Sequence, residues 1–215
     1  MSTLDLEEQE QLAALKAWWR QYGGFLTAVV VVAAVAIAAW TIWTWYQRDQ
    51  SIQASNSYEQ LQKAARASDV KAVRDLTGNI LEHYSRSVYA PMAALLAAKV
   101  HFQAGDLKTA KVQLQWAMDH ARSREVKEIS RLRLSVLLID EGALEEASKL
   151  LDAKPAEGFT GLFGMVGGDL LVAQNKLPEA RRMYKSALES ASAGRLDPSM
   201  RELLQLKLDM MGESS

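Results

Sequence analysis

Between Arg20 and Arg48 the chain carries no charged side chain, and from Phe25 to Tyr46 it reads FLTAVVVVAAVAIAAWTIWTWY. This run limits the fold more than any other feature. As a helix rising 1.5 Å per residue, Gly24 to Trp45 extends roughly 33 Å, close to the ~30 Å hydrocarbon thickness of a bilayer. A half-buried core helix would show a polar face at period 3.6, and this run has none. Trp18, Trp19 and Tyr22 precede it, and Trp40, Trp43, Trp45 and Tyr46 close it. Amphipathic rings favour the headgroup region, so girdles at both ends mark a membrane span. The sequence therefore predicts a transmembrane helix over 23–46, with Phe25, Trp40, Trp43 and Trp45 among its anchoring side chains.

A cleavable export signal is the competing reading, because Ala36-Ile37-Ala38 is formally an A-x-A site. Its context is wrong. The site lies inside the apolar run, and the residues before the run carry Asp5, Glu7, Glu8 and Glu10 against Lys16 and Arg20. The run is also longer than the usual signal core. Lys16 and Arg20 outnumber Arg48 across the span by one, which favours a cytoplasmic N-terminus. Small residues four apart, Gly24/Ala28 and Ala34/Ala38, are read as ordinary transmembrane composition ahead of a helix-pairing motif.

Beyond the span, 49% hydrophobic and 24% charged residues in 215 suit one globular domain with an appendage. A net charge of −1 gives no basic stripe for nucleic acid. No cysteine is present, which excludes disulfides, thiolate metal sites and a cysteine nucleophile. Residues 47–66 lack Pro and Gly and space Ile52, Tyr58, Leu61 and Ala65 as a stalk or first repeat helix would. Downstream, apolar helical segments alternate with short turns at Ala67-Ser68-Asp69, Ala104-Gly105-Asp106, Glu141-Gly142, Gln174-Asn175-Lys176 and Gly194 to Pro198. No strand-like alternation occurs. The fold class expected is all-α: a 1–22 tail, the 23–46 span, the 47–66 stalk and a 67–215 helical-repeat solenoid.

Internal repetition supports the solenoid. LLAAKVHFQAGDLKTAKVQLQWAM, LRLSVLLIDEGALEEASKLLDA and GGDLLVAQNKLPEARRMYKSAL align as helix, turn and x-L-x-x-A opening a second helix. The aligned alanines Ala110, Ala147 and Ala180 are 37 and 33 residues apart, and another step of 37 back falls on Val73 in a degenerate fourth copy. A small residue precedes each alanine by twelve positions, at Ala98, Ser135 and Gly168, and a large apolar one follows by four, at Leu114, Leu151 and Tyr184. Small residues let paired helices approach, and stacking buries the face that one hairpin cannot cover alone. PSMRELLQLKLDMM reads as a C-terminal capping helix that covers the last repeat with Leu203, Leu204, Leu206, Leu208 and Met211.

The period resembles that of the tetratricopeptide repeat. The aromatic residues usual in the first helix are missing, however, and His101 and Arg131 fall where a core residue is expected. The whole chain also resembles the YfgM family, through EQLAALKAWWRQYGG before the span, SNSYEQL after it, KPAEGF at 154–159 and LQLKLDMM near the end. That resemblance implies a bacterial inner-membrane protein with its N-terminus in the cytoplasm and its repeats in the periplasm. The implied partners are the SecYEG translocon, periplasmic chaperones and secreted chains.

Catalytic chemistry finds little support. His83, His101 and His120 form no HExxH or triad pattern. GLFGMVGG, Gly161 to Gly168, lacks phosphate-loop spacing and reads as a packing helix. Neither cofactor nor metal site is expected, and a membrane-bound hydrolase is the weakest function considered. Binding is expected on the concave face lined by the first helices of the repeats. The candidates are Met92, Leu95, Lys99 and Phe102; Ile129, Leu132, Val136 and Ile139; and Leu162, Met165, Asp169 and Val172. Ten of these twelve are apolar, so the face either meets an apolar partner or is covered by the stalk or the cap. The function expected is a tethered interaction module beside the secretion channel, docking chaperones or emerging chains. The alternative is an assembly scaffold for one folded envelope partner.

Overall fold

A computed structural model describes residues 3–190 and 198–212, with side chains from Lys16 to Trp45 and from Gln50 onward within those ranges. Among the described residues every regular element is helical. The chain divides into two units, Met1–Gln50 and Ser51–Ser215. The first helix, α1 (Thr3–Arg66), begins within the residues expected as the tail and ends at the first turn of the repeats.

Within the first unit, α1 contains the one helix among the described residues that is long and apolar enough to cross a membrane. Its side chains stand open: Phe25 is 71% exposed, Trp40 72% and Trp45 70%. In water such a surface would be unsustainable, whereas in hydrocarbon it is the solvated state. The threonine hydroxyls in the run are satisfied within the helix: Thr27 Oγ1 donates to the Gly23 carbonyl at 2.8 Å and Thr41 Oγ1 to that of Ile37 at 2.8 Å, so these groups do not demand water. Trp18 packs on Tyr22 with ring centroids 5.8 Å apart, forming an aromatic belt at the near end.

The second unit stacks helix pairs. The C-terminal part of α1 packs with α2 (Val70–His83), and α3 (Tyr89–Gln103) pairs with α4 (Leu107–His120). α5 (Arg124–Asp140) pairs with α6 (Leu144–Asp152), and α7 (Thr160–Ala173) with α8 (Leu177–Ser190). α9 (Pro198–Met210) closes the array against α8. The turn from Gly194 to Asp197 lies outside the described residues.

All four hairpins turn in the same way. Ser68, Gly105, Gly142 and Asn175 adopt positive φ of 55°, 79°, 76° and 60°. One residue further on, Asp69, Asp106, Ala143 and Lys176 donate their N–H to the carbonyls of Ala64, His101, Leu138 and Leu171. This left-handed cap satisfies carbonyls orphaned at the helix end and reverses the chain. Asp69 and Asp106 then cap α2 and α4 by accepting from the N–H of Ala72 and Thr109. Recurrence at Ser68, where glycine would carry no steric cost, makes the degenerate first copy a true repeat.

The interior follows the expected small-residue code, with one inversion. Val73, Ala110, Ala147 and Ala180 are all fully buried. Gly168 lies directly under the Tyr184 ring, where an added Cβ would meet Cε1 at 2.2 Å. In the other aligned pairs the combinations are Ser135 with Leu151, Ala98 with Leu114 and, in the first copy, Leu61 with Thr77. As the first-helix residue shrinks from Leu to the small pair Ala and Ser and then to Gly, its counterpart grows from Thr to Leu to Tyr. Close packing at constant spacing requires such exchange of volume.

One expectation, in α9, needs correction, and the two departures from the repeat pattern find partners: His101 and Arg131, which fall where a core residue is expected, are each paired. His101 is buried with Nδ1 3.1 Å from Asp106 Oδ2. Arg131 donates to the Ala153 carbonyl at 3.0 Å and lies 4.3 Å over the Phe163 ring. Its guanidinium is also 2.9 Å from Glu128, whose other oxygen accepts from the Ala156 N–H. These contacts staple α5 to the connector before α7. In α9, only Leu204 and Leu208 are buried, with Met211 against the same cluster, while Leu203 and Leu206 face outward. A helical stripe at spacings of four and three holds 204, 208 and 211 together and excludes 203 and 206.

Candidate functional site

Position along the array decides which of the twelve concave candidates stay open. On α3, Met92 is 38% exposed and Phe102 47%; Lys99 is exposed, and Leu95 leans into the core. On α5, Val136 is 39% exposed, Ile129 and Leu132 are half-buried, and Ile139 packs on the core. On α7 the face is largely occupied. Leu162 is half-buried, Met165 packs against the α8–α9 cluster, and only Val172 remains exposed. Asp169 accepts from the Tyr184 hydroxyl and pairs with Lys207 Nζ, both at 2.5 Å. Burial beside that carboxylate holds the Tyr184 phenol far above its ordinary range, so it remains a neutral donor. The cap thus covers the last repeat's share of the face.

Four candidates converge. Lys99 and Phe102 from α3, with Leu132 and Val136 from α5, line a cavity of about 370 Å3 whose remaining walls are Ala98, Leu114, Arg133 and Leu137. Its size falls in the about 300–1,000 Å3 range of sites that take a ligand or side-chain anchor. The small Ala98 opens the floor and Leu114 and Leu137 close it. Met92, Leu95, Ile129, Ile139 and the α7 candidates do not line this cavity.

Arg133 was missing from the sequence-derived set. The repeat register contained the signal: position 133 corresponds to Leu96 and Val166 in neighbouring copies, both apolar. A charge where both neighbouring copies are oily, with only Glu59 of the first copy also charged, marks a place where that copy faces water or a partner. A second cavity, about 480 Å3, lies among α6, α7 and α8, with Gly164, Gly167, Phe163 and Met183 in its lining. It follows from the glycine-rich helix: Gly164 lets α7 approach Ala187, where a Cβ would come within 2.9 Å.

Among the described residues no group of His, Asp and Glu is arranged to hold a metal ion. His120 stacks on Trp116 with centroids 4.2 Å apart and its Nδ1 2.9 Å from the Trp116 carbonyl, and His101 is tied to Asp106. No nucleophile–base pair accompanies either. The arrangement can bind apolar surface.

Four turn-matched helix pairs with a sealing helix and an open apolar cleft define a helical-repeat binding protein. A family model, the tetratricopeptide repeat-like domain, matches residues 16–213. A Neisseria gonorrhoeae protein named ancillary SecYEG translocon subunit is 30% identical over 210 residues, covering 96% of this chain and 98% of its own. Proteins of the same name from Aggregatibacter actinomycetemcomitans and Escherichia coli are 26% and 23% identical over 95% and 94% of this chain, and 97% and 95% of theirs. No solved structure matches. The chain belongs to the tetratricopeptide repeat-like domain family and, within it, to the YfgM family, whose curated members carry the ancillary-subunit name.

Proposed function

We propose that this protein is a single-pass inner-membrane subunit of the secretion translocon that holds its repeats in the periplasm. There it docks periplasmic chaperones or newly translocated chains in the α3–α5 cleft. Residues 1–22 form the cytoplasmic tail, 23–46 the span, 47–66 the helix leading into the repeats and 67–215 the rest of the array. The names of the full-length relatives support the location, and the excess of Lys16 and Arg20 over Arg48 supports the orientation. The observation that carries the docking role is the open cavity lined by Lys99, Phe102, Leu132 and Val136. Confinement to the membrane raises the local concentration of partners, so weak contacts in that cleft are sufficient.

Photocrosslinkers placed at Phe102, at Val136 and, as a control on the opposite helix layer, at Val112 test this in intact membranes. Adducts with channel subunits, chaperones or nascent secretory chains at Phe102 and Val136 but not at Val112 are expected. Val136→Glu should abolish the Phe102 adducts with helix content unchanged. Adducts of equal yield at Val112, or Phe102 adducts that survive Val136→Glu, would remove the cleft from the mechanism.

A further inference from the structure

The α3–α5 cleft carries an electrostatic preference as well as an apolar one. Its lining includes two cationic side chains, Lys99 from α3 and Arg133 from α5, both exposed, and no acidic residue. Neither cation forms an ion pair with a described residue, and the acids of the flanking turns are committed elsewhere. Asp106 serves Thr109, His101 and Arg74, while Glu141 pairs with Lys111 at 3.3 Å. The matching position on α7 is resolved differently: Asp169 is neutralised by Lys207 from within the chain.

Taking the cleft as the partner site proposed above, we propose that its occupant is a partner segment presenting apolar side chains with a carboxylate close beside them. The apolar anchor fills the space over Ala98, Leu114 and Leu137, while the carboxylate reaches Lys99 or Arg133. The cavity of about 370 Å3 is the size of a few side chains and cannot enclose a whole helix, so recognition is of a short acid-flanked apolar motif. A basic segment of equal hydrophobicity is disfavoured, because it would set like charges against both cations as water is expelled. Selectivity of this kind separates an acidic apolar segment from the basic-plus-apolar pattern of an export signal.

The test uses the full chain in detergent micelles and three fluorescein-labelled peptides that share one Leu-Phe-Leu core and differ in flanks: Glu, Gln or Lys. Two exposed ion pairs at the rim give an expected preference of about tenfold for Glu over Gln flanks, with Lys flanks weaker still. The preference should shrink in high salt. The Lys99→Glu/Arg133→Glu variant, altered only at exposed positions, should invert the order while far-UV circular dichroism stays unchanged. Equal binding of all three peptides, each abolished by Val136→Glu, would overturn the charge preference and leave the cleft as the docking site. Absence of binding by every peptide, or binding indifferent to Val136→Glu, would overturn both.

Discussion

Replacing Gly168 by alanine should destabilise the repeats even though alanine is the better helix former. In an unobstructed helix interior the change gains about 1 kcal/mol. Here the new Cβ would lie 2.2 Å from Tyr184 Cε1, 2.4 Å from Cδ1 and 2.8 Å from Cζ, against an ordinary carbon separation of about 3.5–4.0 Å. The ring has no easy escape, being 2% exposed with its hydroxyl held by Asp169. Relief therefore requires α7 and α8 to part. Overpacking of this severity costs about 3 kcal/mol, leaving a net loss of about 2 kcal/mol after the propensity gain. For a domain of this size that lowers Tm by about 4–8 °C. The decisive comparison adds Tyr184→Leu, which recreates the Ala98 and Leu114 combination found two hairpins earlier. In a double-mutant cycle read by urea titration and pulse proteolysis of the full chain, the two changes should couple favourably by at least about 1 kcal/mol. Additivity within about 0.5 kcal/mol, or a more stable Gly168→Ala, would refute the volume-exchange account of the repeat.

Two further outcomes follow from the polar contacts. Arg131→Ala removes the partner of Glu128, which is only 5% exposed. It also breaks the tie to Ala153, so a loss on the order of 3 kcal/mol is expected; Glu128→Gln/Arg131→Met should lose less, and equal losses in thermal melts would contradict the stranded-charge argument. Asp106 is held below the ordinary carboxylate value of 3.8, first by its side-chain bond with Thr109 and then by the Thr109 N–H, with His101 adding a smaller attraction. Because the folded value is the lower one, its stabilisation is present above pH 3.8 and is lost as pH falls through the folded value. Melts of Asp106→Asn should therefore differ most from the parent at neutral pH and converge with it in strong acid.

What the sequence disclosed was local and periodic. An uncharged run long enough to span a bilayer, turns recurring every 37 or 33 residues and small residues twelve apart are features of adjacent chain, fixed by helix geometry and close approach. The first repeat was harder to see because it preserves the turn and the fully buried Val73 while reversing large and small at Leu61 and Thr77. Only summed volume is constrained there, and a residue-by-residue pattern does not register a sum. Contacts between distant segments were hidden for a different reason. Arg131 finds Ala153, and Asp169 finds Lys207, 22 and 38 residues away. A charge in an apolar register gives no hint of which distant group will meet it, so Arg131 read as an irregularity and Asp169 as an open groove position.

The uneven closure of the concave face bears directly on how such a protein can work. The terminal hairpin has no successor and must be sealed, and α9 does so by burying Leu204 and Leu208 and neutralising Asp169 through Lys207. Between α3 and α5 no described element performs that service, leaving Phe102 47% and Val136 39% exposed. Burying about two large apolar side chains there yields a gross gain of roughly 3–6 kcal/mol, part of which is offset by ordering the partner. The surplus corresponds to millimolar affinity at best, since 1 mM equals about −4.1 kcal/mol. For a freely diffusing receptor such affinity would be idle. For one fixed beside the site where its partners emerge, effective concentrations are themselves about millimolar, so the cleft would fill when a partner is present and empty when it departs. In the proposed role, a shallow cleft and a membrane anchor are two parts of one requirement: binding strong enough to detain a passing chain and weak enough to release it.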